Sequence, residues 1–381
     1  RMNEEYGIGG IFPAMVNVFE SLVILGYPKE HPVRKQARQA IDALVTNRGN
    51  SKYVQPCVSP VWDTCLASQA MIETETEDNI TAEIEHGLDW LKDRQLSDEP
   101  GDSRIPRPNL AGGGWAFQYS NYYYPDLDDT SMVAWAMHRT GKEKYAEPIQ
   151  RAANWVAGMQ STGGGFGSFE VNNTQYYLNA IPFADHGALL DPPTADVTGR
   201  SIALLSLADK EKYTKNIQDA IEYLKTEQED DGSWFGRWGT NYIYGTWSVL
   251  TALEIAKEDP KQNYIRRAVA YLQDMQNDDG GWGESNDSYY PPRHRRPFQS
   301  TAFQTAWSLL ALLAVGGAKT ETVRKGINYL ISTQSADGHW YDDVYTAPGF
   351  PRVFYLKYHG YTKYFPLWAL SRYRNLLQDQ S

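Results

Sequence analysis

A repeated phrase constrains this chain more than any other feature. It is an amphipathic stretch, a glutamine, and a short turn that carries glycine and ends on an aromatic ring. "YLKTEQEDDGSW" ends at Trp234, "YLQDMQNDDGGW" at Trp282 and "YLISTQSADGHW" at Trp340. "WVAGMQSTGGGF", ending at Phe166, and "WLKDRQ", ending at Gln95, are weaker copies. Each copy has the periodicity of a helix with one apolar face, followed by the glycine that stops it. A second set of segments alternates with these: "DTCLASQAMI" from Asp63, "DDTSMVAWAMHR" from Asp128, "DVTGRSIALLSLA" from Asp196, "GTWSVLTALEIA" from Gly245, "QTAWSLLALLAVGG" from Gln304 and "FPLWALSRY" from Phe365. These are apolar nearly all round, as helices buried on every side must be. They recur at roughly 50 to 70 residues, the signature of a helical-hairpin repeat.

Six polar-faced helices alternating with six buried ones predict an all-α (α/α)6 barrel, two concentric rings with the apolar helices inside. Gln and the aromatic after each turn are placed to tie neighbouring hairpins together. The starts of the inner helices then converge on one barrel mouth. "GIFPAMVNVFESLVILGYP", Gly10 to Pro28, is an extra apolar helix before the ring. Residues 1–28 therefore read as the last piece of something upstream, and 29–381 as the barrel.

The net charge of −11 argues against a nucleic-acid partner. With 12 Trp, 26 Tyr and 12 Phe, the chain has more aromatic surface than a core needs, which favours a ring-lined cavity. Two cysteines, Cys57 and Cys65, make no disulfide framework and point to a reducing compartment. The longest apolar run, around Leu309 to Val315, is too short to span a bilayer. The histidines lack metal-ligand spacing, so neither a metal nor another cofactor is expected.

"YYYPDLDDTSMVAWAMHRTG" places Asp126, Asp128 and Asp129 before an apolar helix. Anions are favoured at a helix start, where Asp128 or Asp129 serves as a cap. Three carboxylates this close also repel one another, and one held protonated is a candidate acid. The residues alone leave both readings open.

Across Gly9 to Tyr373 the motifs "SPVWDT", "GGGWAFQYSNYYYPDLDDT", "IPFADHGALLDPPTADVTGR", "DGSWFGRWGTNYIYGTW", "DGGWGES", "TAFQTAW" and "GFPRVFYLKY" together resemble the C-terminal part of squalene-hopene cyclases, class II triterpene cyclases. The resemblance implies acid-initiated polycyclisation of squalene to hopene- or hopanol-type pentacycles, in a cavity between two barrels of which this chain carries one. It implies that Asp128 donates the proton, with Asp126 and Asp129 as supporting carboxylates, Arg200 as the basic partner and Asp196 in the same network; Asp191 and Asp63 join it. It places Trp62, Phe117, Phe169 and Trp238 toward the start of the folded substrate, and Phe350, Phe354, Tyr358 and Tyr361 toward its later rings, with Tyr244 a weaker candidate. Aromatic faces stabilise a cation by ~2 kcal/mol or more each in a dry site. Phe183 and Ala184 match an entrance, and the role of His186 beside them stays open.

As partners the resemblance implies squalene or a related polyprenoid and a membrane surface, at the cytoplasmic face as a peripheral or monotopic protein, with a homodimer as an allowed assembly. Phe303 departs from the family's small polar residue, which puts the local packing in question. "PPRHRRPF", Pro291 to Phe298, also departs; it reads as a solvated basic loop or a contact for lipid headgroups.

Three other readings compete. One is a class II cyclase of another polyprenoid. Another is a zinc-dependent prenyltransferase β-type subunit, for which Cys57 and Cys65 offer no ligand set. The third is a non-catalytic α/α ring that binds a partner, for which the "GCGEQ" of thioester domains is absent.

Overall fold

The computed structural model describes residues 7–75, 81–97, 101–181, 189–291 and 298–378. Six helices form the inner ring: α3 (Pro60–Thr74), α5 (Leu127–Arg139), α7 (Ala195–Asp209), α9 (Tyr242–Ile255), α11 (Ala302–Ala314) and α13 (Tyr361–Gln378). Each packs on the next, and α13 packs back on α3, so the ring closes. Outside it lie α4 (Ala82–Lys92), α6 (Ala146–Gly158), α8 (Thr214–Thr226), α10 (Asn263–Asp274) and α12 (Glu321–Thr333). These five carry the Gln phrases, where the sequence pattern predicts six polar-faced helices; the weaker copies of the phrase supply only two of the five. They bury one stripe each, such as Ile217, Ala220, Ile221 and Leu224 of α8, whereas α9 is buried almost throughout. That contrast is what the two apolar patterns in the sequence predict.

The Gln side chain does what its place in the repeat suggests. In Gln228 the amide donates to the Gly232 carbonyl within its own turn (2.8 Å) and to the Tyr264 carbonyl in the first turn of α10 (2.7 Å). Gln95, Gln160 and Gln276 make the same pair of bonds, reaching Pro148, Asn216 and Thr322. The aromatic completes the turn. Trp234, Trp282 and Trp340 each donate from the indole to a carbonyl ten residues back, at Leu224, Leu272 and Leu330. The partner of Gln95 is Trp115, which donates to Leu91 after a long insertion. A threonine of the following inner helix (Thr130, Thr198, Thr246 or Thr305) accepts the backbone N–H of the turn aromatic.

Gly232 shows why the turn needs glycine. Its φ is +94°, and an added Cβ would lie 2.5 Å from the Arg267 carbonyl oxygen of α10. Gly338, in the last repeat, has φ +83° but nothing within 4 Å of its Cβ position. Gly232→Ala is therefore expected to lose about 3 kcal/mol, and Gly338→Ala about 1 kcal/mol from the backbone alone. Urea unfolding of the two variants measures the difference.

Ahead of the ring, α1 (Phe12–Ile24) packs on α2 (Pro32–Ala43), followed by the antiparallel hairpin β1 (Val45–Arg48) and β2 (Ser51–Val54). Met15, Ala40 and Leu44 form a small core of their own, separate from that of the ring. The expected extra helix is present; α2 and the hairpin were not foreseen. Among the described residues no helix is long and apolar enough to cross a membrane.

Candidate active site

The inner helices begin at one mouth of the barrel, and the loops that lead into them wall a cavity of about 170 Å³. Asp126, Asp128 and Asp129 line it together with Trp62, Phe117, Phe169, Trp238, Phe350, Phe354, Tyr358 and Tyr361. Residues over 290 positions apart in the chain thus share one wall. A larger, more open groove of about 730 Å³ adjoins it through Cys57, Leu356 and Tyr358.

The carboxylates take their places from the start of α5. A short antiparallel pair, β3 (Trp115–Ala116) with β4 (Pro125–Asp126), leads directly into the helix. Asp126 is extended (φ −125°, ψ 157°) and is the cap, its Oδ1 accepting from the Asp129 N–H at 2.8 Å. Capping thus falls to the first aspartate, not to Asp128 or Asp129, because the helix begins at Leu127 rather than after the acidic run. Asp128 and Asp129 are left in the first turn, where their side chains reach the cavity.

All three groups are buried. Burial lifts Asp128 to about 7, against the pull of the Arg200 charge, which lowers it. Asp126 rises to about 8, chiefly by burial, with the Asp128 charge adding to it and the Asp129 amide opposing it. Asp129 lies well above the ordinary carboxylate range through burial and the charges of Asp126 and Asp128. Neutral and charged forms of this cluster are therefore both accessible near neutral pH.

Behind the carboxylates sits Arg200, its Nε 3.4 Å from Asp128 Oδ1. The guanidinium lies 4.1 Å from the Trp247 ring centre and 5.6 Å from that of Tyr244. Asp196 is held by four donors: the Arg237 and Trp238 amides on Oδ2 (2.8 Å each), and Thr194 Oγ1 (2.5 Å) and the Val197 amide (3.0 Å) on Oδ1. Neither Arg200 nor Asp196 lines the cavity; both back the acid. Asp191 accepts the amides of Ser168, Phe169 and Glu170 and so fixes the loop that presents Phe169. Asp63 accepts from Ser59 Oγ (2.5 Å) and Tyr364 OH (2.8 Å), and it faces the adjoining groove.

The aromatic rings of the wall meet in three groups. Tyr358 and Tyr361 stack at 4.5 Å, and Trp62 donates to the Tyr361 hydroxyl at 3.0 Å. Phe169 meets Trp238 edge-on at 5.9 Å, and Phe350 meets Phe354 at 6.2 Å. Tyr244 is buried beneath Arg200 and does not reach the cavity. Phe303 is accommodated without disruption, buried against Trp307 (5.0 Å) and Tyr361 (6.0 Å).

The raised carboxyls have a thermodynamic signature. The folded chain holds protons on Asp126 and Asp128 up to pH values near 8 and 7, whereas an unfolded aspartate releases its proton near 4. Between roughly pH 4 and 8 the native state binds more protons, so this contribution is present below 4 and is lost as pH rises through the folded values. Urea unfolding is expected to give a lower midpoint at pH 8.5 than at pH 5.5. The drop should shrink in Asp128→Asn.

Cys57, Gln118, Asn121 and Ser168 also line the cavity and were not foreseen as site residues. Burial pushes the Cys57 thiol up to about 12, so it stays a neutral wall group. Gln118 donates to the Gly10 carbonyl, tying the Gly9–Ile11 segment across the cavity. Phe183, Ala184 and His186 lie outside the described residues, as does the basic stretch 292–297. Among the described residues no group of His, Cys, Asp and Glu has the arrangement of a metal site.

Comparison with known proteins bears on the fold and the family. The squalene-hopene cyclase C-terminal domain profile matches residues 58–375, and the N-terminal domain profile of the same proteins matches residues 1–50. A squalene-hopene cyclase of Zymomonas mobilis is 50% identical over 99% of this chain, and one of Alicyclobacillus acidocaldarius is 43% identical over 97%. In each case the chain spans 59% of the relative's length. Among solved structures, ent-copalyl diphosphate synthase from Streptomyces platensis superposes with a TM-score of 0.59 at 18% identity, covering 91% of this chain and 56% of that one. A variant of the type II terpene cyclase MstE from Scytonema, in complex with its substrate geranylgeranyl dihydroxybenzoate, superposes at 0.57 with 16% identity, covering 96% and 98%. At these identities the two structures speak to the fold alone. The profile match over most of the chain and the high identity to the bacterial enzymes show that the chain belongs to the squalene-hopene cyclase family.

Proposed function

We propose that this chain forms the acid-bearing barrel of an enzyme that cyclises squalene, or a related polyprenoid, into hopene- or hopanol-type products. The observation that carries the reading is the cavity in which three buried carboxyls meet eight aromatic side chains. Asp128 transfers its proton to the CH carbon of the terminal trisubstituted alkene. The π pair forms the new C–H bond and leaves a tertiary cation. Each following alkene attacks the cation before it, and the last cation loses a proton to give an alkene or takes up water to give an alcohol. Arg200 and the amides at the start of α5 favour the Asp128 carboxylate left behind, which strengthens the acid. Burial raises the fraction still protonated at neutral pH. The ring faces then hold positive charge in a site with little water.

A triterpene-length chain extends from the acid into the adjoining groove, which the loop around Tyr358 joins to the cavity. A second barrel, of the kind the longer relatives have room for, closes that groove, with residues 1–28 as its last piece. The substrate enters from a membrane surface, at the cytoplasmic face, where it is dissolved.

The test is a chimera in which this chain follows the upstream segment of the Zymomonas mobilis relative. Incubated with squalene, it is expected to release pentacyclic triterpenes, identified by gas chromatography and mass spectrometry, while the chain alone is at least about tenfold slower. Conversion of a shorter polyprenoid in preference to squalene would replace the substrate assignment. No conversion of either would sink the enzymatic reading.

A further inference from the structure

Phe350 and Phe354 stand on a loop whose base is fixed by one hydroxyl that lies outside the cavity. The loop runs from Thr346 to Leu356, which exchange backbone hydrogen bonds at 2.8 and 2.9 Å and close it like a stem. Pro348, Phe350, Phe354 and Leu356 all face the cavity from it. The stem is bound to a second loop, 236–241, which carries Trp238 beside it.

Thr240 is the junction. It is fully buried, and its hydroxyl donates to Asn286 Oδ1 (2.5 Å) while accepting the Ala347 N–H (3.0 Å). Its own N–H donates to Thr346 Oγ1 (2.8 Å). Asn286 in turn donates to the Tyr345 carbonyl at 3.1 Å. The Thr240 loop is itself held at the acid end, where the Arg237 and Trp238 amides bind Asp196. Above the stem the Gly349 N–H donates to the Arg237 carbonyl at 3.1 Å, and a Cβ on Gly349 would meet the Trp238 ring at 2.5 Å. Backbone and ring thus pack with no space to spare.

We propose that Thr240 is a positioning residue that holds the Phe350–Phe354 loop against the Trp238 loop and so sets where these cation-facing rings stand. It thereby governs how far cyclisation proceeds before the cation is lost. The inference rests on the cyclase reading above. Initiation depends on Asp128, which Thr240 does not touch. Later cations depend on ring faces staying where charge develops, and a loosened wall admits early proton loss.

Thr240→Val keeps the volume and removes the hydroxyl; Thr240→Ser keeps the hydroxyl. Two readouts are needed, on the chimera described above. In hydrogen exchange, peptides covering 345–356 are expected to exchange at least about tenfold faster in Thr240→Val and at the parent rate in Thr240→Ser. In product analysis, the share of incompletely cyclised products is expected to rise at least about fivefold in Thr240→Val, with Thr240→Ser restoring the parent distribution. Unchanged exchange overturns the positioning role, whether or not the parent protein turns over squalene. Faster exchange with an unchanged product distribution overturns the control of cyclisation. A parent protein that converts no polyprenoid overturns the cyclase reading and leaves the exchange result to decide the loop assignment. If Thr240→Val does not fold, Asn286→Ala removes the same anchor from the other side and is read by the same two measurements.

Discussion

Asp128→Asn is expected to lower squalene turnover of the complete enzyme by about a thousandfold or more, the loss that follows when a positioned acid is removed. An isolated alkene is a very weak base, so the donor must be a strong acid that still carries its proton. At Asp128, burial keeps the proton on at neutral pH while the Arg200 charge favours its release. Asparagine has the same shape and no proton to give. It also removes a buried group that is costly to ionise, so the variant should melt no lower than the parent at pH 8. Steady-state turnover with squalene and a thermal melt check the two halves. Turnover within tenfold of the parent would move the acid to Asp126 or Asp129, which share the cavity. Because Asp128 titrates at about 7, the activity of the parent enzyme is expected to fall on the alkaline side of neutrality.

Arg200→Gln is expected to damage both fold and chemistry. Arg200 is a buried cation facing Asp128, with Asp196 and the Trp247 ring beside it. Removing one member of a buried pair leaves the other uncompensated, at a cost of about 3–5 kcal/mol. Urea unfolding at pH 8, where the carboxyls are most ionised, reads that cost. Without the guanidinium, Asp128 loses the influence that lowers it, so its value moves up from about 7. The acid then stays protonated to higher pH but is weaker. Turnover is expected to fall by about a hundredfold, with the alkaline limb shifted upward. Arg200→Lys, which keeps the charge but loses the planar fork, should recover part of the stability. A variant with parent stability and an unshifted limb would separate Arg200 from the acid.

The ring of helices was legible because each hairpin repeats its own punctuation, and the glutamine and tryptophan of that punctuation make the same bonds in copy after copy. Trp115 escaped notice as the partner of Gln95 because the residues between them break the spacing. The start of α5 was misplaced because a run of aspartates offers several equivalent caps, and only the pairing of Trp115 with Asp126 selects one. The aromatic wall could not be told from core by residue type. The resemblance singled out Trp62 and Phe350, and the fold places them on one cavity. Gln118 and Asn121 were missed because an amide carries no reactive signature. Glu284 was missed because its role, accepting the Asn241, Tyr242 and Ile243 amides at the start of α9, exists only once neighbouring hairpins pack as they do in the closed ring.

That closure has its own consequence for synthesis. The seam between α3 and α13 joins the ends of the chain: Trp62 to Tyr361, Asp63 to Tyr364, and the carbonyls of Glu73 and Thr74 to Arg374 and Asn375. A nascent chain on the ribosome presents the first of these partners long before the last emerges, and it bears the entropy of a loop some three hundred residues long until they meet. Until then the arc is open, and the burial that lifts the pKa values of Asp126, Asp128 and Asp129 is expected to be incomplete. Any chemistry that depends on those raised carboxyls is therefore expected to wait for the last inner helix to dock.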